Sequence, residues 1–409
     1  MKVLILASSF APDAVVASHR FSNIVSRMPK YGIQPIVLAT SKRRSLGIDK
    51  SLPKVNTLVY RVPMIPEWPP VLNSTFSKIF YKLWRIVSPI DNAFGWVPFA
   101  VVKGIKLVHK SDIKTVIATC PPRSALFAAF LISELTKSKL ILDYRDPWTG
   151  NRQWKTRRGN ARFYNYLEKN IIEQAVSVVV CTEYMKREFI AVFDISPEKI
   201  KVITNGFQPG TINAIVPEEE KYNITYAGSF YGDRNLRMLI DPFIMLQNSG
   251  IISSEIRVHV YGKCTDEDMH AFRKSNLTDT IVQHDSLDHD NILRVLAGSD
   301  ALFLPSGGDV LYALPYKLFD YLKVKKPILA VAPVDSEVHR FMKDYQVGEF
   351  AELGNSESIF RALSKIYTGS SKFLEKDLDR FHWDNIAREY SEHISITSSS
   401  KSRRSRLED

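Results

Sequence analysis

The chain has 409 residues, 45% of them hydrophobic and 24% charged, the size and balance of a soluble protein with two domains of about 200 residues. No apolar run approaches the ~18 residues that cross a bilayer, and the opening run Val3 to Ala7 is shorter than the ~7–15 residues of an export core. The net charge of +11 is unevenly placed: residues 1–205 carry 31 Lys and Arg against 14 Asp and Glu, the remainder 24 against 30. The first half therefore calls for an anionic partner such as nucleic acid, a membrane surface or a phosphorylated substrate.

Taken in chain order, "KVLILA" reads as a first buried strand. It is followed by the loop "SSFAPDAVVAS" and a helical stretch "HRFSNIVSRMPKYG", with Phe21, Ile24, Val25 and Met28 at helical spacing. "QPIVLAT", "TVIATC", "KLILDY" and "VSVVVCT" are further strands, each followed by loop residues and a helical pattern. Residues 205–223, "NGFQPGTINAIVPEEEKYN", hold Asn-Gly, Pro-Gly and a proline before three glutamates, the chemistry of a linker. Beyond it "NITYAGS", "IRVHVYG", "TIVQHD", "DALFLP" and "PILAVAP" are strands, with helices expected around 236–248, 288–298, 316–325 and 336–344. Apolar runs alternating with helices predict an α/β protein with a parallel sheet, covered on both faces, in each half. Two such Rossmann-like domains in tandem are expected to face a central cleft and to hold a ligand at the carboxyl ends of their strands. The expected divisions are a first domain 1–205, a linker 206–222, a second domain 223–376, a helix 377–396 returning to the first domain, and a disordered tail 397–409. Cys120, Cys181 and Cys264 lie far apart without metal-ligand spacing, so reduced thiols in a cytoplasmic protein are the expectation.

The stretch "ALPYKLFDYLKVKKPILAVAPV" follows "PSGGD". Pro315 suits a first helical turn, and the helix that follows aims its free N–H groups at the preceding loop. Lys317 and Asp320, three apart, share a face, while Leu318 and Leu322 share another and pack inward. A cation beside free amides suits a diphosphate, and a neighbouring carboxylate suits vicinal hydroxyls. Taken alone, the pair is equally a solvated ion pair on an ordinary helix.

"PYKLFDYLKVKKPILA" resembles the donor-site signature of family 4 of the retaining GT-B glycosyltransferases, which reads P-x-K-x-x-E-Y-L-A-x-G-K-P-I-L-A. "VITNGF", "ITYAGSFYGDRNLRMLI", "VYGKCTD", "DALFLP" and "MKVLILASSFAP" agree with the family in order and spacing. "TCPPRSALFAAF" and "LDYRDPW" look like its bacterial surface-polysaccharide members. The resemblance implies the GT-B fold and transfer of a sugar from a nucleotide-sugar with retention, without cofactor or catalytic metal. It places the donor on the second domain and the acceptor on the first. Carried over residue by residue, it gives Asp320 the ribose. Gly228, Lys263, Gly307, Gly308, Lys317 and Leu318 fall at the sugar-diphosphate pocket, and Arg234 at the phosphates, where an Arg fork suits phosphate oxygens. Three positions depart from the family: Tyr312 stands where many members have a glutamate, Ser229 replaces a basic residue after the glycine, and the first loop "APDAVVASHR" has no glycine.

In the first half, "LDYRDPWTGNRQW" sets Asp143, Arg145, Asp146 and Trp148 just past a strand end. Asp146 suits orientation or deprotonation of an acceptor hydroxyl, Arg145 suits phosphate, and Asp143 and Trp148 suit acceptor binding. The alternative is that these carboxylates cap the next turn and pair with Arg145. With the first loop lacking glycine, His19 and Arg20 are candidates to meet a ligand through side chains, His19 as a catalytic group. Glu183 reads as a helix cap. The Asp-x-Asp look-alikes at 266–268, 288–290 and 377–379 lie in helix-start or tail contexts and are set aside as metal sites. Residues 71–108 interleave aromatics with lysines and arginines, and "FSKIFYKLWRIV" fits either an interfacial helix on anionic lipid or a stripe packed on the sheet.

The sequence thus predicts a glycosyltransferase at the inner face of the cell membrane. Its donor is a nucleotide-sugar and its acceptor a polyprenyl-diphosphate-linked or other glycan, and nucleic acid is not a partner. A nucleotide-sugar epimerase and a non-catalytic scaffold of the same fold are the alternatives.

Overall fold

The computed structural model describes residues 1–41, 47–65, 88, 90–149, 161–216, 221–230, 234–250 and 256–399. Contacts divide the chain into two units, Met1–Asn205 with Trp383–Asp409, and Gly206–His382.

In the first unit the strands are β1 (Lys2–Leu6), β2 (Gln34–Thr40), β3 (Leu58–Val62), β4 (Thr115–Cys120), β5 (Lys139–Tyr144), β6 (Ser177–Val180) and β7 (Ile200–Val202). They form one sheet in the order β3-β2-β1-β4-β5-β6-β7, with every pair parallel. The helices between them are α1 (Val16–Arg27), α2 (Val97–Ser111), α3 (Arg123–Thr136), α4 (Ala161–Gln174) and α5 (Glu183–Phe193). Val3–Leu6, Val116–Ala118, Ile141 and Leu142 are fully buried, as expected of strands covered on both faces.

The second unit repeats the plan with β8 (Tyr222–Ala227), β9 (Ile256–Tyr261), β10 (Ile281–His284), β11 (Ala301–Pro305), β12 (Ile328–Ala332) and β13 (Gly348–Glu352), in the order β10-β9-β8-β11-β12-β13. All of these pairs are parallel too. Its helices are α6 (Ile240–Asn248), α7 (Asp266–Lys274), α8 (His289–Gly298), α9 (Tyr316–Val324), α10 (Glu337–Tyr345) and α11 (Ser356–Tyr367). Leu302 and Leu304 of β11 pack with Leu318, Phe319 and Leu322 of α9, while Phe303 joins the cluster on the other face.

In each sheet the winding reverses direction once, between β1 and β4 and between β8 and β11. Such a reversal opens a crevice at the carboxyl ends of the strands, where open α/β sheets bind ligands.

A final helix, α12 (Trp383–Ser399), returns to the first unit. Asp384 pairs with Arg27 and Lys30 there, and accepts from the Tyr31 hydroxyl at its carbonyl at 3.0 Å. Two expectations are corrected at this end. The helix begins at Trp383, because Leu378–Phe381 forms a 3-10 turn whose Leu378 and Phe381 are buried in the second unit's core. Thr397–Ser399, expected in a disordered tail, are helical, because their polar groups find partners: Lys139 donates to the Ser398 carbonyl at 2.6 Å, and the Ser398 hydroxyl lies 2.8 Å from that of Thr115. Residues 400–409 lie outside the described residues, as do 217–220 of the expected linker and 71–87 and 89 of the basic, aromatic segment.

Candidate functional site

The second unit's reversal point gathers most of the donor-site candidates. Tyr321 of α9 donates its hydroxyl hydrogen to the Phe303 carbonyl at 3.0 Å and accepts from the Ala227 amide at 3.4 Å, fixing the helix over the β8–β11 crevice. One turn earlier, Lys317 Nζ donates to the Tyr226 hydroxyl at 2.9 Å and lies 4.0 Å from the centre of its ring. Burial pulls this ammonium down to about 7, and the nearby Arg234 charge adds to the effect while Asp320 opposes it. Asp320 Oδ1 lies 3.0 Å from His289 Nε2, so a side chain at the start of α8 orients the carboxylate.

Backbone makes the remaining wall. Gly228 has φ +144°, and a Cβ there would lie 2.6 Å from Lys317 Nζ. Gly262 has φ +152°, and its Cβ would meet the Gly228 carbonyl oxygen at 2.3 Å. Only glycines let these two strand ends approach so closely. Gly307 caps and Gly308 begins a 3-10 turn, Gly308–Val310, in the loop leading to α9, and Pro315 gives the helix no side-chain cap. Lys263 keeps its side chain exposed, while its amide donates to Ser229 Oγ at 3.2 Å. One candidate is corrected: Leu318 is a core residue at 0% exposure, and its amide already donates to the Pro315 carbonyl. Tyr312 is buried. Lys317, Arg234, an uncapped helix start and an oriented carboxylate together suit an anion with a neighbouring diol.

The first unit brings fewer of its candidates to the surface. Arg20 and Asp143 are buried at 2% and 0% exposure and pair at 2.9 Å. Arg20 also donates to the carbonyls of Ile203 and Thr204, and Asp143 accepts from Thr119 Oγ1. Each spends its polar atoms on the other and on these scaffold groups, so both hold the scaffold, in correction of the expectation. Trp148, 1% exposed and 5.8 Å from the Arg123 guanidinium, is likewise a packing residue. Arg145 and Asp146 are half-buried at the end of β5, with Arg145 donating to the Cys120 and Pro121 carbonyls. His19, in the first turn of α1, lies 3.0 Å from Asp49. The glycine-free first loop is held by side chains: Asp13 accepts from the Phe10 amide, and Arg61 donates to the carbonyls of Phe10 and Ala11.

The Asp-x-Asp look-alikes at 266–268 and 288–290 belong to helix caps, whereas Asp377 makes no cap bond to the 3-10 turn that follows it. Asp288 accepts from the Asn291 amide, and Thr265 with Asp268 forms a capping box. Glu183 is the first residue of α5, whose cap is Thr182. Among the described residues, no three His, Cys, Asp or Glu side chains cluster as a metal site.

Sequence reasoning missed Tyr226, His289, Asp49 and Glu168. Tyr226 stands inside the quoted "ITYAGS", but the lysine it meets is 91 residues away. Glu168, 0% exposed on α4, accepts from the Thr149 amide at 2.8 Å and hydroxyl at 2.5 Å, and burial raises it to about 7 against the pull of those bonds. Its only sequence signal is a glutamate at an inward helical position. The stability it contributes is present below about pH 4.5 and lost as pH rises through about 7. His393, lowered to about 4 by burial, acts with the opposite sign between about pH 4 and 6.5. The difference between wild type and Glu168→Gln isolates Glu168: thermal scans at pH 4.5 and 7.5 should show the variant losing less stability, or gaining more, over that interval.

Residues 17–210 match the family described as Glycosyltransferase Family 4. The protein is an enzyme of the glycosyltransferase type. Sucrose-phosphate synthase from Thermosynechococcus elongatus aligns with a TM-score of 0.67 at 13% identity, over 98% of this chain and 100% of that one. The lipopolysaccharide outer core galactosyltransferase WaaB aligns at 0.63 and 14% identity, over 98% and 100% of the two chains. UDP-GlcNAc 2-epimerase from Methanocaldococcus jannaschii aligns at 0.56 and 12%, over 97% and 100%. At these identities the likeness establishes the shared GT-B fold. No curated protein matches the chain.

Proposed function

We propose that this glycosyltransferase moves a sugar from a nucleotide-sugar, with retention of anomeric configuration, to a polyprenyl-diphosphate-linked glycan in bacterial surface-polysaccharide synthesis. The observation that carries the reading is the reversal-point group of the second unit. Lys317 and Arg234 with the start of α9 suit the donor diphosphate, and Asp320, oriented by His289, suits the ribose. On the acceptor side, Asp146 would orient or deprotonate the acceptor hydroxyl, Arg145 would meet phosphate, and His19 would act from the first loop. Neither a metal nor a cofactor enters this scheme, since cations of the chain neutralise the leaving diphosphate.

Attachment to the inner face of the cell membrane is part of the same reading. Helix α2 exposes Phe99 and Val102 beside Lys106 and Lys110 on the strongly basic half of the chain, a pattern suited to anionic lipid. Among the described residues no helix is long and apolar enough to cross a membrane.

The buried Tyr312 occupies the position of a family glutamate, so contact with the transferred sugar falls to other groups. Purified protein incubated with radiolabelled nucleotide-sugars and polyprenyl-diphosphate-glycan vesicles tests the reading. Label appearing in the organic phase, with the anomeric configuration of the donor by NMR, supports it. Absence of label with every sugar, while nucleotide still binds, overturns the lipid-linked acceptor.

A further inference from the structure

Ser306 is the first residue beyond β11, at 1% exposure, and its hydroxyl has no hydrogen-bond partner among the described residues. A buried hydroxyl without a partner is costly to leave unsatisfied, so where it points into a candidate site it is a candidate to meet a ligand.

Its direction follows from the strand. The amides of Leu302 and Ser306 donate to the Pro327 and Val331 carbonyls, so regular parallel pairing continues through residue 306. Side chains alternate along such a strand, which puts Ser306 on the same face as Leu302 and Leu304. That face packs on α9, through Leu318, Phe319 and Leu322. Tyr321 of α9 is bonded to the Phe303 carbonyl, so the helix start, about 7 Å further back at 1.5 Å per residue, lies abreast of the strand's carboxyl end. Ser306 therefore points toward the first turn of a helix that has no side-chain cap, beside Gly307 and Gly308.

We propose that Ser306 is a further binding residue of the donor site, its hydroxyl donating to a phosphoryl oxygen of the nucleoside diphosphate held at the start of α9. The inference rests on the donor-site reading above and adds to it a neutral donor that completes the phosphate shell beneath Lys317. The site thereby reads the diphosphate in particular: a nucleoside offers no oxygen at this depth.

The test uses the full chain with Ser306→Ala and Ser306→Thr. Its probes are UDP, GDP, dTDP and ADP with their parent nucleosides, measured by isothermal titration calorimetry. Ser306→Ala should weaken the best-bound diphosphate about tenfold, leave its nucleoside unchanged, and leave the melting temperature of the empty protein unchanged or higher, because an unpartnered buried hydroxyl has been removed. Ser306→Thr, which keeps the hydroxyl, should restore most of the affinity. Equal affinity of wild type and Ser306→Ala for the diphosphate overturns the proposal, as does an equal loss for nucleoside and diphosphate. A wild type that binds no diphosphate overturns the donor-site reading itself, and the proposal falls with it.

Discussion

Asp143→Ala is expected to destabilise the first unit by about 3–5 kcal/mol, because it strands the Arg20 guanidinium, 2% exposed, without its carboxylate. In a unit of this size that corresponds to a fall in melting temperature of roughly 10 °C. Arg20→Ala should be comparably costly, since it leaves the Asp143 carboxylate buried without its cation and frees the carbonyls of Ile203 and Thr204. The double variant Arg20→Met with Asp143→Leu should therefore lose less than either single variant, because it removes both desolvated charges together. Scanning calorimetry of the four proteins checks this. A single variant within about 1 kcal/mol of wild type would mean that the buried pair is not what holds Asn205 and the end of β7 in place.

Lys317→Ala is expected to weaken nucleoside diphosphate binding by roughly 10–150-fold, the range for hydrogen bonds to charged groups. The pH dependence is more telling than the size of the loss. In the empty site burial lowers Lys317 to about 7, so above that pH its amine is mostly neutral. An incoming diphosphate favours the ammonium and must draw a proton into the site. Affinity should then fall by up to tenfold per pH unit above about pH 7, and Lys317→Arg, which stays charged, should remove that slope. Stability of the empty protein moves the other way: the unfolded lysine keeps its proton to about 10.5, so this group adds stability as pH rises from about 7 toward 10.5. Titrations in buffers of different ionisation enthalpy would count the proton directly.

The central strands were legible in the sequence because each is buried on both faces and so reads as an unbroken apolar run; "QPIVLAT", "TVIATC" and "KLILDY" match β2, β4 and β5 residue for residue. The strands missed were β3, β7 and β13, and each is at the edge of its sheet. An edge strand is covered less, so Leu58 can be exposed and Gly348–Glu352 can carry two glutamates without an apolar run to mark them. Helix spacing put Lys317 and Asp320 on one face, while their donor role and the other donor-site candidates came from the family resemblance. The first-unit candidates were less so. Strand-end position identified Asp143, but not that its side chain is buried against Arg20, a partner 123 residues away. Partners set by long-range packing, such as Tyr226 for Lys317, leave no local trace.

The central claim is that the start of α9, with Lys317 and Asp320, holds a nucleotide-sugar. Thermal unfolding of wild type, Lys317→Ala and Asp320→Ala against UDP-, GDP-, dTDP- and ADP-sugars tests it most directly. A ligand present at 100 times its dissociation constant adds about 2.7 kcal/mol, a shift of a few degrees. The account predicts that one nucleotide series stabilises the wild type and neither variant. Stabilisation of all three proteins alike, or of none by any of the sugars, would contradict it.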